Sequence, residues 1–73
     1  MKVYENFLIT AYVSLSGTEF IVRQDEIARR ADYVNALNFL IRHELQEAFK
    51  KQHPIYFEYL QSVSDNRPVS RFR

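Results

Sequence analysis

The chain contains no cysteine and no tryptophan, and only one glycine and two prolines among its 73 residues. Without cysteine there is no disulfide framework, no thiolate zinc site and no thiol nucleophile. One glycine is too few for a phosphate-binding loop or a dinucleotide fingerprint, because both need several glycines for close backbone approach. No uninterrupted apolar run reaches the roughly 18 residues of a membrane span. We therefore expect a soluble, cytoplasmic protein that does not insert in a membrane.

The residues that are present suffice for one small folded domain. The hydrophobic fraction is 47% and the aromatic fraction 15%, which is more apolar surface than a disordered chain carries. Charge is uneven, with seven basic against eight acidic residues in 1–60, and three against one in 61–73. We predict a single monomeric domain over residues 1–63, followed by a flexible basic tail over residues 64–73.

Residues 25–52 have the periodicity of one long amphipathic helix. Asp25 is a plausible N-cap, and His53 followed by Pro54 ends the pattern, because proline removes a helical donor. At 100° per residue, one stripe of side chains recurs at helical spacing. The predicted stripe comprises Ile27, Ala31, Val34, Leu37, Ile41, Leu45, Ala48 and Phe49, with Tyr33 and Leu40 on its flank.

The N-terminal part favours a β-hairpin. Residues 3–15 alternate with a period of two, and Gly17, the sole glycine, marks the position where the backbone needs positive φ. We predict a two-residue turn at Ser16 and Gly17. The predicted pairs across the hairpin are Leu15 with Thr18, Val13 with Phe20, and Ala11 with Val22.

A second, shorter helix is predicted to begin at Pro54, since proline is favoured at the first helical position. The apolar side of this helix is predicted to comprise Ile55, Tyr56, Tyr59, Leu60 and Val63. A lone hairpin is marginal in water, and the stripe of the long helix is the surface available to cover it. The sequence thus predicts an α+β fold, in which an N-terminal antiparallel hairpin packs on a long helix, followed by a short helix and a tail.

No cluster of residues indicates a reaction. His43 and Glu47 are spaced four apart on the predicted helix, but a zincin helix needs histidine at both positions. The serines have no strand–elbow context, so no nucleophile site is indicated. We predict that the protein is not an enzyme and has no catalytic residues, metal site or cofactor.

A DNA-binding interpretation of residues 25–48 remains open. Residues 24–31 resemble the first helix of a helix-turn-helix unit. The turn would then have to fall on residues 32–35, where the helical period continues without interruption. The following segment has only Arg42 and His43 as cationic side chains, whereas a DNA reader usually shows a basic stripe. Nucleic acid is therefore a secondary candidate as partner.

Protein binding is the favoured interpretation. Phe39 falls among polar residues on the helical wheel, so it is either an exposed interface anchor or is covered by the second helix. The tail combines cationic and apolar side chains that suit an arm ordering on a partner. Val3 and Tyr4 precede the paired part of the hairpin. The predicted partner-binding residues are Val3, Tyr4, Phe39, Arg67, Val69, Arg71 and Phe72.

The order of elements resembles small phage-encoded proteins that bind the multisubunit RNA polymerase of the bacterial host. The resemblance is carried by residues 2–7 at the start, by the hairpin leading into the long helix, and by the tail over residues 68–73. It implies docking on the largest polymerase subunit near the RNA exit region, displacement of σ, and no catalysis. The expected function is inhibition of transcription initiation, suppression of termination, or both, in the host cytoplasm. Inhibition of another host protein complex is an alternative of the same kind.

Overall fold

Three antiparallel strands precede three helices in the computed structural model, which describes residues 1–23 and 27–65. The predicted α+β class is confirmed. The elements are β1 (Lys2–Glu5), β2 (Ile9–Ser14), β3 (Gly17–Val22), α1 (Arg30–Arg42), α2 (Gln46–Gln52) and α3 (Pro54–Ser64). The sheet has the strand order β1-β2-β3, and each strand is hydrogen-bonded to its neighbour in sequence.

The segment predicted as one strand over residues 3–15 is two strands joined by a tight turn at Asn6. The Asn6 side chain accepts a hydrogen bond from the Leu8 N–H at 3.0 Å, as asparagine often does two residues ahead in a turn. Asn6 and Ile9 also exchange backbone hydrogen bonds of 2.8 and 3.3 Å. The turn reverses which residues face inward, so Tyr4 of β1 and Ala11 of β2 share the inner face.

The predicted hairpin between β2 and β3 exists, but its predicted register is wrong by two residues. Ser14 pairs with Gly17 and Val13 pairs with Thr18, so the turn residues are Leu15 and Ser16. Gly17 has φ +141°, and it takes this conformation at the start of β3 rather than within the turn. The Ser14 hydroxyl also donates to the Gly17 carbonyl at 2.9 Å, which supports the observed turn.

The predicted single helix over residues 25–52 is interrupted between α1 and α2. The Leu45 N–H bonds the Leu40 carbonyl at 2.8 Å and the Glu44 N–H bonds the Ile41 carbonyl at 3.1 Å. This pair of bonds is a Schellman motif, which requires a left-handed residue after the C-cap. Glu44 supplies it, with φ +56°, where glycine is usual. The predicted N-cap Asp25 lies outside the described residues, and α1 begins at Arg30.

The buried side of α1 is turned by roughly a third of a turn from the predicted stripe. Ala36, Phe39 and Leu40 are buried, whereas Ile41 of the predicted stripe is 47% exposed. Phe39 is only 7% exposed, so of the two positions that the sequence left open for it, the exposed anchor is wrong. Its ring lies edge-on to His43 at 5.0 Å, and His43 in turn lies 4.4 Å from the ring of Tyr4 on β1.

Phe49 of α2 joins the sheet to the helices. Its fully buried ring meets Phe20 of β3 edge-on at 5.0 Å and lies 6.3 Å from Phe57 of α3. Such aromatic pairs add to the free energy gained from area burial alone. The predicted start of a helix at Pro54 is confirmed. On α3, however, Phe57 and Leu60 are buried while Ile55 is exposed, so its predicted apolar side is only partly right.

The core is thus one cluster shared by the inner face of the sheet and the three helices. Its buried apolar residues are Leu8, Ile9, Ala11, Phe20, Ala36, Phe39, Leu40, Leu45, Phe49, Phe57 and Leu60. The ends of the helical part are tied together, since the Arg30 guanidinium donates to the Ser64 carbonyl at 2.8 Å. Residues 32–35, the turn required by a helix-turn-helix unit at this place, lie within α1.

Candidate protein-binding surface at strand β1

The outer face of the sheet, opposite the helices, carries exposed apolar side chains. Val3 of β1 is 49% exposed and Ile21 of β3 is 54% exposed. Val3 pairs with Tyr12 of β2, and Ile21 pairs with Thr10 on the same face. Apolar side chains grouped on one side of a small domain are typical of interaction surfaces. Further exposed apolar side chains at the strand ends are Met1, Phe7 and Leu15.

Strand β1 has an open edge. Because Asn6 and Ile9 exchange both backbone hydrogen bonds, they form a hydrogen-bonded pair of the antiparallel ladder. Such pairs alternate along a strand, so Tyr4 bonds to β2 while the backbone groups of Val3 and Glu5 point away from it. Within residues 1–23 and 27–65, no hydrogen bond from another residue reaches these outward groups. Val3 and Glu5 therefore present free donors and acceptors along one side of the sheet.

The opposite edge, on β3, is covered by side chains from the helical part. The Phe20 N–H donates to Gln52 Oε1 at 3.3 Å, and Gln52 Nε2 donates to the Thr18 carbonyl. His53 Nε2 lies 3.4 Å from the Phe20 carbonyl. The Gln52 amide thus takes the place of a neighbouring strand, which is one way in which proteins protect sheet edges. Within residues 1–23 and 27–65, the two edges of this sheet differ, because side chains cover part of the β3 edge and none of them bonds the β1 edge.

A polar recess lies where β1 ends. It has a volume of about 370 Å³ and is bordered by the end of β1, the following turn and one side of α1. Amide and charged side chains converge there, with the buried ring of Phe39 between them. The lining residues are Glu5, Asn6, Asn35, Asn38, Phe39, Arg42 and His43.

The structure places the predicted partner-binding residues in different environments. Val3 lies at the open edge with an exposed side chain. Tyr4, one residue on, is half-buried against His43 and packs on the core. Phe39 is buried beside the recess. Arg67, Val69, Arg71 and Phe72 lie outside the described residues.

Several residues at this surface were not predicted from the sequence. Glu5, Asn35, Asn38 and Arg42 are polar residues on elements whose relative placement depends on the turn at Asn6 and on the rotation of α1. The asparagine at position 6 is the only local signal for the end of β1, because asparagine favours turns. The alternation of residues along β3 places Ile21 on the outer face, but periodicity alone does not show which faces of a sheet remain uncovered.

A second exposed apolar region lies at the start of α3. Ile55, which is 81% exposed, and Tyr59 line an open groove of about 430 Å³. Tyr59 lies 5.4 Å from Tyr33 of α1, edge to face. Burial, followed by the charges of Tyr33 and Tyr59, raises the pKa of Tyr56 to about 12. Its phenol is therefore protonated at neutral pH, and the groove has an uncharged wall.

Comparison with protein-family models, curated proteins and solved structures finds no match to this chain. None of the helices in the described part is long and apolar enough to cross a membrane. Within the same residues, no group of three or more histidine, aspartate or glutamate side chains is placed to hold a metal ion.

Proposed function

We propose that this protein is a non-enzymatic regulator that binds bacterial RNA polymerase and thereby inhibits initiation, suppresses termination, or both. The observation that carries protein binding is the exposed Val3 at the open edge of β1, on the outer face of the sheet that also carries the exposed Ile21. Exposed apolar side chains at an unpaired strand are a feature that a protein partner can cover. The polymerase, and its largest subunit near the RNA exit region, come from the resemblance of residues 2–7 and 68–73 to phage regulators. The proposal places the protein in the host cytoplasm.

The tail is the second part of the proposed interface. Residues 68–73 combine two arginines with Val69 and Phe72, and arginine and phenylalanine are enriched at interfaces. The helical periodicity that carries the predicted core positions ends before this segment. Deleting residues 68–73 is therefore expected to leave the melting temperature within a few degrees of the full chain. Since each lost anchor is worth about 1–2 kcal/mol, the deletion should weaken polymerase binding at least tenfold.

The test is a titration of purified bacterial RNA polymerase with the full chain, with the chain lacking residues 68–73, and with Ile55→Ala. The Ile55→Ala protein is the matched control, because it removes an exposed apolar side chain away from β1. It should bind as tightly as the full chain. Equal affinities of the full and shortened chains would remove the tail from the interface. Failure of all three proteins to bind would refute the polymerase proposal, and steeply salt-dependent binding to duplex DNA would then favour the DNA-binding alternative.

A further inference from the structure

We propose that β1 accepts an extended segment of a partner protein as a fourth strand of the sheet, paired along its open edge. The inference rests on the proposed protein-binding function, but not on polymerase as the partner. Strand addition is a common mode of peptide recognition, in which main-chain hydrogen bonds supply affinity and alternate side chains supply specificity.

The backbone of β1 defines which groups would pair. Val3 and Glu5 each direct one N–H and one carbonyl away from β2, and these are the groups that an added strand engages. On β3, the outward N–H and carbonyl of Phe20 and the Thr18 carbonyl already meet the Gln52 amide and the His53 ring. An added strand therefore has one edge available to it in the described part of the chain.

The side chains next to β1 define what the segment would carry. Side chains on the inner side of an added strand would lie beside Tyr4 and Asn6, next to the recess formed with α1. There they would meet the amides of Asn35 and Asn38 and the guanidinium of Arg42. Side chains on the outer side would lie next to Val3. Glu5 also lines the recess, and its carboxylate would repel an acidic side chain. We therefore expect a segment with an apolar residue at the position facing Val3, and with amide residues at the alternate positions.

A second copy of this chain is a poorer occupant. β1 has four residues, so it is about 13 Å long. Two such strands paired with each other bury far less than the roughly 1,200 Å² of a stable specific interface. A partner segment can instead continue beyond β1 into the recess and over the outer face.

The test separates main-chain pairing from side-chain contact at one residue. Val3→Pro removes the outward N–H while the ladder to β2 keeps all of its hydrogen bonds, because proline is tolerated at strand edges. Val3→Thr keeps both the N–H and the branched shape. Glu5→Pro and Glu5→Gln repeat the comparison at the second outward N–H. Circular dichroism and melting curves first establish that each variant is folded.

The first probe is a displayed library of random 12-residue peptides, selected on the immobilised full chain. Selected peptides should bind Val3→Pro and Glu5→Pro at least tenfold more weakly, and Val3→Thr and Glu5→Gln within about threefold of the original chain. Bound peptide should also slow hydrogen exchange at the Val3 and Glu5 amides without changing exchange at the Tyr4 amide. Selection of no peptide, or of peptides that bind the proline variants equally well, overturns the inference.

The second probe is bacterial RNA polymerase, titrated with the same four variants. If only the proline variants lose binding, polymerase binds through the open edge of β1, and the inference and the proposed function are both supported. Peptides that pair with β1 while polymerase does not bind would refute the function and retain the inference. Polymerase binding that is equal for all variants would refute the inference and retain the function. A dimer of the full chain that Val3→Pro dissociates would overturn the inference in favour of self-pairing.

Discussion

Phe39 and Ile41 lie two residues apart on α1, and truncating each to alanine tests which side of this helix faces the core. Phe39 is 7% exposed and Ile41 is 47% exposed, whereas helical periodicity in the sequence places Ile41 in the apolar stripe and Phe39 outside it. We expect Phe39→Ala to destabilise the protein much more than Ile41→Ala. This is the reverse of the order that the sequence pattern favours.

The magnitudes follow from what each side chain contacts. Truncation of a buried phenylalanine to alanine costs about 3–5 kcal/mol, including the cavity left behind. The Phe39 ring also borders the polar recess, so water can enter part of the space, and we expect the lower value of about 3 kcal/mol. Ile41 is half exposed, and half of the smallest loss for a fully buried isoleucine is about 1 kcal/mol.

These losses are large for a domain of this size. A chain of this length has a free energy of unfolding of about 4–11 kcal/mol. In such a domain 1 kcal/mol shifts the melting temperature by about 4–8 °C. We therefore expect Phe39→Ala to lower it by about 12–24 °C, and Ile41→Ala by about 4–8 °C. Phe39→Leu, which keeps most of the buried volume, should cost less than about 1.5 kcal/mol and remain folded for comparison.

The assay is urea unfolding followed by far-ultraviolet circular dichroism and by tyrosine fluorescence, since the chain has no tryptophan. Coincident transitions from the two probes would show that the variants unfold in two states. Equal losses for Phe39→Ala and Ile41→Ala would refute the burial of the Phe39 side of α1. A larger loss of unfolding free energy for Ile41→Ala would show that α1 buries the side predicted from the sequence.

Two backbone predictions concern residues with positive φ. Gly17→Val should cost at least about 1 kcal/mol, because a β-branched residue opposes φ +141°, and no atom lies within 4 Å of the added Cβ to contribute a clash. Ser16→Val, one residue earlier and with ordinary φ, is the control in the same thermal melts, and equal losses would show that the φ of Gly17 is not the cause. Glu44→Gly should instead stabilise the protein by up to about 1 kcal/mol, because it relieves a left-handed glutamate at the end of α1. Glu47→Gly, within α2, should destabilise it by about 1 kcal/mol in the same urea titrations, and a loss at both positions would contradict the break described at Glu44.

Local patterns in the sequence were sufficient to predict several parts of the fold. The period of two in residues 3–15 predicted strands, and the period of 3.6 in residues 25–52 predicted helix, which together determine the α+β class. Gly17 and Pro54 act through their own backbone chemistry, so the positive φ and the start of α3 could be placed without any tertiary contact. Val3 was also named from the sequence, but as a residue that precedes the paired part of the hairpin, whereas it pairs with Tyr12 as part of β1.

The hairpin register and the α1–α2 break depend on specific contacts, which the hydrophobic periodicity of the sequence does not reveal. Registers that differ by two residues leave every side chain on the same face, so alternation could not separate the predicted pairing from the observed one. The break after α1 uses a glutamate in the left-handed conformation, and the next residue, Leu45, is buried in the core and donates its N–H to the Leu40 carbonyl.

The candidate site could be located only from the tertiary structure. Whether the edge of β3 is covered depends on Gln52, which is 32 residues from Phe20 in the chain and reaches it only when α2 packs on the sheet. The recess beside β1 likewise requires the turn at Asn6 and the rotation of α1 to bring Glu5 and Arg42 together. Local sequence patterns determine the helices and strands, because backbone preferences act over a few residues. The open edge was decided by packing between distant segments, because an edge is open only when nothing else in the fold covers it.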